Sequence, residues 1–521
     1  MAINSKNVTL LLIVIGVILS LCGGIAESKK IHIKHSNSIN GYPIIANNNN
    51  NNNNMNHQNN MAIMDQVDQE APPPPPNQSC SQCLMGYICL NNTCSNCFTD
   101  SQCQSQVSSQ SVCAEGICEH KSLFHDHFTF LDIVGLCLLF IGCALSSGGG
   151  VGGGGIYIPI LILVSKFSPK TAIPLSNCLV AGCAMANFIQ NFPRRHPFAN
   201  KHLIDYSVVL LIEPLTLGGT TFGVYLHTFL PPFVILILLV VTLTATAITT
   251  FRKGLSIYKK ENETKSYSQI KNTSINSDGS ETQQSNPFKD AEWGKISAIV
   301  LVLALSTVFS VLKGGDGEYS MVGIKLCSPT YWTLSFAIWP VIIVTWILTA
   351  LYLYRRWKKN QLQGIKVEGD INYSPQTIIL LGFLSVIAGI LASLLGIGGG
   401  MIKGPVLLQM GLSPDITAAT SSFMILFTSA SSAIQYVLLG KLRLDYGLVY
   451  YFTAFIACFV GTQSLLYAVK KSNRKSYFIF LICLVIVIST ILLCITEVID
   501  LEKYKNQPFI SVCTPNDAPA S

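Results

Sequence analysis

The chain has 521 residues, of which 50% are hydrophobic and 12% charged, and its mean hydropathy is +0.44. Apolar residues lie in blocks of roughly 18 to 25, long enough to span a bilayer, which excludes a soluble globular protein. The net charge of +7 does not indicate a nucleic-acid partner, because lysines and arginines flank the apolar blocks, as they do on the cytosolic side of membrane helices.

The first predicted element is a secretory signal peptide, residues 1–26. Lys6 precedes an apolar run from Thr9 to Leu21, and the small residues that follow suit cleavage after Ala26. An uncleaved anchor is the alternative, and in both cases the next segment faces the lumen or the exterior. Residues 27–79 contain a run of asparagines and a run of prolines, so we expect a disordered stalk.

Residues 80–120 form a cysteine-rich module. Its eight cysteines are Cys80, Cys83, Cys89, Cys94, Cys97, Cys103, Cys113 and Cys118. Two CxxC pairs can hold zinc in a cytosolic protein. After a signal peptide, an even number of cysteines favours four disulfides, and their pairing stays open. Sequons at Asn77 and Asn91 predict glycosylation, which agrees with a lumenal position.

Apolar blocks then predict a series of membrane helices. The predicted spans are residues 128–145, 171–192, 204–229, 231–250, 295–312, 331–354, 377–395, 415–438, 446–469 and 477–496. Two further elements, 156–164 and 401–410, are too short to cross a hydrocarbon core of about 30 Å as helices. We interpret them as half-helices that return the chain to the side it left.

A glycine cluster precedes each half-helix. The segment GGGGIYIPILILVSKFSPKTAIPLSN, which begins at Gly152, aligns with GIGGGMIKGPVLLQMGLSPDITAATSS, which begins at Gly396, and the alignment pairs Pro159 with Pro405. The similarity continues into the following helices over about 90 residues, which indicates an internal duplication.

Counting crossings inverts the second copy, because each half adds three full crossings after its broken hairpin. The expected fold is an all-α polytopic membrane protein with two inverted repeats that contain glycine-broken helices, preceded by a small disulfide-rich lumenal segment. Such repeats are typical of secondary transporters whose site lies between the halves. The expected segments are repeat 1 (128–251), a cytosolic loop (252–294), a central pair of spans (295–354), a cytosolic linker (355–376), repeat 2 (377–496) and a C-terminal tail (497–521).

The broken helices predict an anion site. Irregular backbone at membrane depth is buried in protein or lines a cavity, and the N-termini of half-helices attract anions. The alternative is that the glycines serve only close helix packing. A dinucleotide-binding loop is excluded, because the glycines follow a membrane span rather than a strand. The candidate substrate-binding residues are Gly153, Gly154, Ser176, Asn177, Gly398, Gly399, Gly400, Lys403, Thr420, Ser421 and Ser422.

Two charged residues at membrane depth are further candidates. Lys403 is a candidate anion partner, or else a lysine that extends to the interface. Glu213 is a candidate carrier of a coupling proton, or else a structural hydrogen-bond partner. The Ser, Thr and Asn residues near the starts of the following helices can bind oxyanions or cap those helices. Since no catalytic triad or metal-ligand set recurs in the membrane part, we predict no enzyme activity and no cofactor.

The glycine cluster, the proline, the double leucine and the Ser/Thr-rich helix start of GIGGGMIKGPVLLQMGLSPDITAATSS resemble the sulfite exporter TauE/SafE family of membrane permeases. The resemblance covers about residues 128–496. It implies a duplicated helical bundle that moves small sulfur-containing anions, such as sulfite, sulfonates or thiosulfate, across a membrane. The predicted signal peptide places that membrane in the secretory pathway or at the cell surface as the plasma membrane. The alternative is a membrane scaffold or trafficking protein that binds a partner protein through its cysteine-rich lumenal module.

Overall fold

The computed structural model describes residues 88–90, 93–106, 108–114, 116–123, 129–147, 152–195, 202–270, 292–313, 328–363, 371–412, 414–472 and separate residues between 476 and 494. The predicted signal peptide, stalk and C-terminal tail lie outside these residues. Cys80, Cys83 and the two sequon asparagines, Asn77 and Asn91, also lie outside the described residues. For Cys89 and Cys94 the structure describes the backbone but not the side chains.

The cysteine-rich module contains two short antiparallel hairpins and one helix. They are β1 (Ile88–Leu90) with β2 (Thr93–Ser95), α1 (Asp100–Gln106), and β3 (Ser111–Ala114) with β4 (Ile117–His120). In the structure a sulfur–sulfur bond joins Cys97 to Cys113, and a second joins Cys103 to Cys118. These cysteines pack with Ile88 into a small core, so cross-links replace most of the apolar contacts that a segment of this size lacks.

The membrane part is helical. Its helices are α2 (Phe130–Ser146), α3 (Gly154–Leu163), α4 (Pro169–Asn191), α5 (Tyr206–Phe229), α6 (Pro232–Ile270), α7 (Trp293–Lys313), α8 (Pro329–Phe336), α9 (Ile338–Leu362), α10 (Pro375–Leu395), α11 (Gly400–Gln409), α12 (Pro414–Leu438) and α13 (Leu444–Ser472). Within the described residues, eight helical stretches are long and apolar enough to span a membrane, which confirms a polytopic membrane protein.

Local sequence explains where several of these helices begin. Proline occupies the first turn of α4 and α10, where its missing N–H costs nothing, and Ser374 caps α10 through its hydroxyl. Asp205 caps α5 by accepting from two backbone N–H groups. Most predicted spans agree with the helices, but α6 runs on to Ile270, well past the predicted end at Thr250, because hydropathy detects the apolar part of a helix and not its polar continuation.

Three helices form the centre of the bundle. In their most apolar stretches, 94% of α4, 89% of α5 and 83% of α12 are buried, against 33% of α7 and 22% of the α8–α9 stretch. The peripheral helices therefore present their apolar side chains outward, as expected for contact with lipid. Polar side chains on the central helices contact protein instead.

Each repeat packs helices against the other. Helix α5 lies against α10, and α13 lies against both α2 and α4. A Cβ atom added at Gly219 would lie 2.4 Å from the Val386 carbonyl oxygen, and one at Gly461 would lie 2.4 Å from the Ala144 carbonyl oxygen. Glycine therefore permits backbone contact at both interfaces, as is common between membrane helices.

Contacts along these pairs give the helix directions. Helices α4 and α13 run parallel. Cys183 is bonded to Cys458, and farther along both helices the Asn187 side chain accepts a hydrogen bond of 2.9 Å from Thr462. Helices α5 and α12 also run parallel, since Asp205 meets Thr420 near both starts and Thr220 meets Ser431 farther along both. The C-terminal half of α4 contacts the start of α12, where the Phe188 and Phe423 rings lie 5.0 Å apart, so the two pairs point in opposite directions.

Candidate functional site: the paired helix breaks

Both half-helices follow two glycines in the left-handed conformation. Gly152 and Gly153 have φ of +87° and +71° before α3 begins, and Gly398 and Gly399 have φ of +72° and +68° before α11 begins. Residues with a Cβ rarely adopt this conformation, so the glycines are required by the shape of the break. The two repeats therefore break at equivalent positions.

The two breaks contact each other. A Cβ atom at Gly154 would lie 2.3 Å from the Gly396 carbonyl oxygen and 2.5 Å from the Ile397 Cα atom. Ser176 of the first repeat donates its hydroxyl to the same Gly396 oxygen at 2.8 Å. The starts of α3 and α11, whose first N–H groups have no partner within the helix, are thus brought to one region of the bundle.

Three of the candidate polar residues have structural partners. Ser176 holds the second break, as described above. Thr420 accepts from the backbone N–H of Asp205 at 3.1 Å, and Ser422 donates to the Ala418 carbonyl at 2.8 Å. Thr420 and Ser422 thus make structural contacts, although neither contact caps the start of α12.

Two other candidates keep polar atoms without a partner. The Asn177 side chain donates to the Ile173 carbonyl at 3.1 Å, but its Oδ1 atom is buried and unpaired. The Ser421 hydroxyl is buried and unpaired, as is that of Thr417, one turn earlier on α12. Buried polar groups without partners are uncommon, so these atoms are available to a ligand.

Lys403 and Glu213, predicted separately, form one buried ion pair. Lys403 Nζ lies 2.8 Å from Glu213 Oε2, and 2% and 0% of the two side chains are exposed. Lys403 is thus buried and does not extend to an interface. Thr428 completes the cluster, since its hydroxyl lies 2.8 Å from Lys403 Nζ and 2.6 Å from Glu213 Oε1. Sequence reasoning missed Thr428, although Thr417, Ser421 and Thr428 have the i, i+4, i+11 spacing of one helix face.

Sequence reasoning also missed a disulfide between two membrane helices. Cys183 of α4 and Cys458 of α13 are bonded, with a Cα–Cα distance of 5.2 Å and 275 residues between them in sequence. The bond ties a helix of the first repeat to a helix of the second. Nothing in two apolar segments so far apart signals that they pair.

The cysteine-rich module contacts the end of α3 and the start of α13. The His120 ring stacks on Phe167 at 3.9 Å, and its Nε2 atom lies 3.1 Å from the Ser165 carbonyl oxygen. Asp445 accepts from the backbone N–H of Leu123 at 3.0 Å. Burial in this contact lowers the pKa of His120 below its ordinary value of 6.5. The module is therefore attached directly to the membrane part.

An open cavity in the described part of the bundle lies elsewhere. It has a volume of about 250 Å³ and is lined by α5, α8 and α9, with Phe222, Trp332 and Trp339 among its walls. None of its lining residues carries a charge, so it does not suit a small anion. The paired breaks remain the candidate site.

The sequence model of the family named Sulfite exporter TauE/SafE matches the chain twice, over residues 134–322 and 297–490. The chain belongs to the sulfite exporter TauE/SafE family. The resemblance found in the glycine-cluster motif is thereby confirmed, and the two matches together cover both repeats.

Several curated relatives of this TauE/SafE protein are known. Sulfite exporter TauE/SafE family protein 5 of Arabidopsis thaliana is 33% identical over 370 residues, which is 68% of this chain and 81% of the relative. Family protein 3 of the same plant is 30% identical over 382 residues, 70% of this chain and 78% of the relative. The probable membrane transporter protein YunE of Bacillus subtilis (strain 168) is 28% identical over 121 residues, 22% of this chain and 43% of the relative.

No solved structure matches this TauE/SafE chain. Family membership supports a role in membrane transport, with a small-molecule substrate and surrounding lipid, and agrees with the prediction that the protein is not an enzyme. It does not favour the scaffold alternative, and it lends no support to a lumenal protein partner.

Proposed function

We propose that this protein is a secondary transporter that moves small sulfur-containing oxyanions, of the sulfite, sulfonate or thiosulfate type, by alternating access between two inverted repeats. The observation that carries the proposal is the contact between the two helix breaks, where Gly154 lies against the Gly396 carbonyl. Two half-helix N-termini that meet inside a membrane bundle form a region of positive potential, which favours an anion.

Helix directions support the inversion of the repeats. Helix α2, which opens the first repeat, runs parallel to α13, since Cys143 meets Cys458 and Ala144 meets Gly461. Helix α10, which opens the second, runs parallel to α5, since Gly382 meets Leu215 and Ser393 bonds to the Thr220 carbonyl farther along both. Because α13 and α5 point in opposite directions, so do α2 and α10.

The anion is proposed to bind at the breaks. Gly153, Gly154 and the cluster of Gly398, Gly399 and Gly400 let a ligand approach the backbone closely. The unpaired Ser421 hydroxyl can donate to an oxyanion. The Asn177 amide donates one N–H to the Ile173 carbonyl and has a second N–H that can donate to an oxyanion. The central helices that hold these groups are mostly buried in protein, where a hydrogen bond is stronger than in water.

The membrane setting and the cysteine-rich module complete the proposal. We infer a protein of the secretory pathway or plasma membrane, with the module on the lumenal or outer side, disulfide-bonded and glycosylated. Cys97, Cys103 and Cys118 lie close enough to hold a metal, but each is already bonded to another cysteine in the module. Mass spectrometry of the non-reduced protein should find these bonds and no stoichiometric zinc; free thiols there would contradict the disulfides.

Flux measurements test the transport proposal. The full-length protein is reconstituted in vesicles and assayed with sulfite, thiosulfate, sulfate and taurine. Gly398→Leu should abolish flux of whichever anion moves, because Gly398 has φ of +72° and its added Cβ would lie 2.5 Å from Val180 Cγ1. Gly294→Leu is the matched control, since nothing lies within 4 Å of its added Cβ.

Two results would contradict the proposal. Absence of flux with every anion, from protein that is folded and inserted, would argue against transport of this substrate class. Equal flux in Gly398→Leu and Gly294→Leu would place the ligand path away from the helix breaks.

A further inference from the structure

We propose that Glu213, Lys403 and Thr428 form a single switch that couples proton movement to anion movement in the same direction. Glu213 holds Lys403 until Glu213 takes up a proton, and Lys403 then pairs with the transported anion, so that one proton moves with each anion. This inference rests on the proposed transport function and names its coupling ion and stoichiometry.

The three residues join helices from both repeats. Glu213 lies on α5, Lys403 on α11 and Thr428 on α12. The Thr428 hydroxyl accepts from Lys403 Nζ at 2.8 Å. Its one hydrogen has two acceptors in reach, Glu213 Oε1 at 2.6 Å and the Met424 carbonyl at 3.0 Å, and the carboxylate is the nearer. A change in the charge of Glu213 therefore changes the hydrogen bonds that Glu213 makes to the half-helix α11 and to the central helix α12.

Lys403 is already beside the proposed anion site. Its backbone N–H donates to the Gly399 carbonyl at 3.0 Å, in the first turn of α11, and a Cβ at Gly399 would lie 3.6 Å from Lys403 Cε. An ammonium has three N–H donors, and Glu213 and Thr428 take two of them. Among the described residues no partner is recorded for the third, which leaves one donor for an oxyanion.

Charge balance couples the proton to the anion. A buried unpaired charge is strongly unfavourable, whereas a pair is tolerated. The empty site is neutral when Glu213 is ionised, because the carboxylate balances Lys403. With a monoanion bound, the site is neutral only when Glu213 is protonated. A proton and an anion therefore enter and leave together.

The positions that the duplication pairs with the three switch residues are uncharged. The alignment of the repeats places Tyr157 opposite Lys403, Thr453 opposite Glu213 and Cys183 opposite Thr428. Tyr157 instead shares a hydrogen bond of 2.6 Å with Ser146, and Thr453 donates to the Val449 carbonyl at 2.8 Å. Because the repeat-related positions hold no charged pair, the bundle contains the switch once, and the expected stoichiometry is one proton per anion.

Lys403 is the charged group that acts on Glu213. Helix α10, which packs along α5, contains no charged residue. Lys295 of α7 contacts Ser207 at 2.7 Å and Glu292 at 2.9 Å instead. On α5 and on the helices α7, α9 and α12 that pack against it, the other histidine and charged residues lie toward helix ends, namely His227, Lys313, Arg355, Arg356, Lys358, Lys359 and Asp415. The tyrosines of these helices are Tyr206, Tyr225, Tyr352, Tyr354 and Tyr436.

Vesicles containing the full-length protein and an internal pH indicator test the switch. Uptake of sulfite, thiosulfate and methanesulfonate is measured with the outside one pH unit more acidic than the inside. For the monoanion methanesulfonate, one coupled proton predicts about tenfold accumulation, with internal acidification of equal stoichiometry. Glu213→Gln should lose this accumulation but retain exchange of labelled for unlabelled anion. Glu292→Gln, a carboxylate at the exposed start of α7, is the matched control and should behave as the parent protein.

The outcomes separate the switch from the transport function. Anion flux without proton movement, or accumulation that persists in Glu213→Gln, overturns the switch and leaves transport standing. If no probe anion moves in the parent protein, both proposals fall. Should Glu213→Gln not reach the membrane, Thr428→Val carries the test. It keeps both charges but removes the donor to the carboxylate, so the pH of half-maximal uptake should rise, and an unchanged pH profile overturns the switch.

Discussion

Substitution of Gly154 by alanine tests whether the two helix breaks touch. The new Cβ would lie 2.3 Å from the Gly396 carbonyl oxygen and 2.5 Å from the Ile397 Cα atom, both backbone atoms that no rotamer change can move. A normal contact requires the two breaks to separate by about 1 Å. Overpacking of this kind costs about 1–3 kcal/mol, which exceeds the gain of at most about 1 kcal/mol from replacing glycine in a helix.

Gly404→Ala provides the matched control on the second half-helix. Its added Cβ would meet nothing closer than the Ser421 hydroxyl at 3.9 Å, so only the helix gain applies and stability should rise by up to about 1 kcal/mol. The helix gain applies to both variants, so we expect them to differ by the overpacking cost alone, about 1–3 kcal/mol in the free energy of unfolding in detergent. Vesicle flux should fall in Gly154→Ala alone, because separation of the two breaks disturbs the proposed anion site between them.

The same pair of variants can refute the reasoning. If Gly154→Ala and Gly404→Ala unfold at the same temperature and carry the same flux, the breaks do not contact each other as described. A loss of stability without a loss of flux would mean that the contact supports the fold but does not lie on the ligand path.

Three further predictions follow from other contacts. Lys403→Met should destabilise the protein by about 3–5 kcal/mol, because it leaves Glu213 buried without its partner. The double variant Glu213→Gln/Lys403→Met should lose much less stability. Equal losses for the two variants in detergent unfolding would contradict a buried ion pair. Cys183 and Cys458 should resist alkylation in the unfolded, non-reduced protein and react after reduction, and a reactive pair before reduction would contradict the bond. The pKa of His120 is lowered when the module is docked, so the detached module binds a proton more readily below about pH 6.5. Docking should therefore weaken as the pH falls below about 6.5 and stay constant above it. Once exchange rates are corrected for the intrinsic effect of pH, the protection factors of the β4 amides should thus be lower at pH 5.5 than at pH 7.5, and equal protection factors at both would count against this coupling.

Features that depend on neighbouring residues could be predicted from sequence. The half-helices were expected at residues 156–164 and 401–410, and the structure has them at Gly154–Leu163 and Gly400–Gln409. Consecutive glycines specify a left-handed break locally, and long apolar blocks specify membrane spans through the cost of burying unpaired backbone in lipid. The family resemblance was carried by the same local pattern, so it too was available before the structure.

Contacts between distant segments were decided only by the tertiary structure. Sequence reasoning selected Lys403 and Glu213 one at a time, but their 190-residue separation hides the fact that one neutralises the other. Cys183 and Cys458, and the contact of His120 with the end of α3, likewise depend on how the repeats and the module pack. Charge pairing, cross-linking and docking require two surfaces to meet in space, and no local propensity of either segment encodes which partner it will meet.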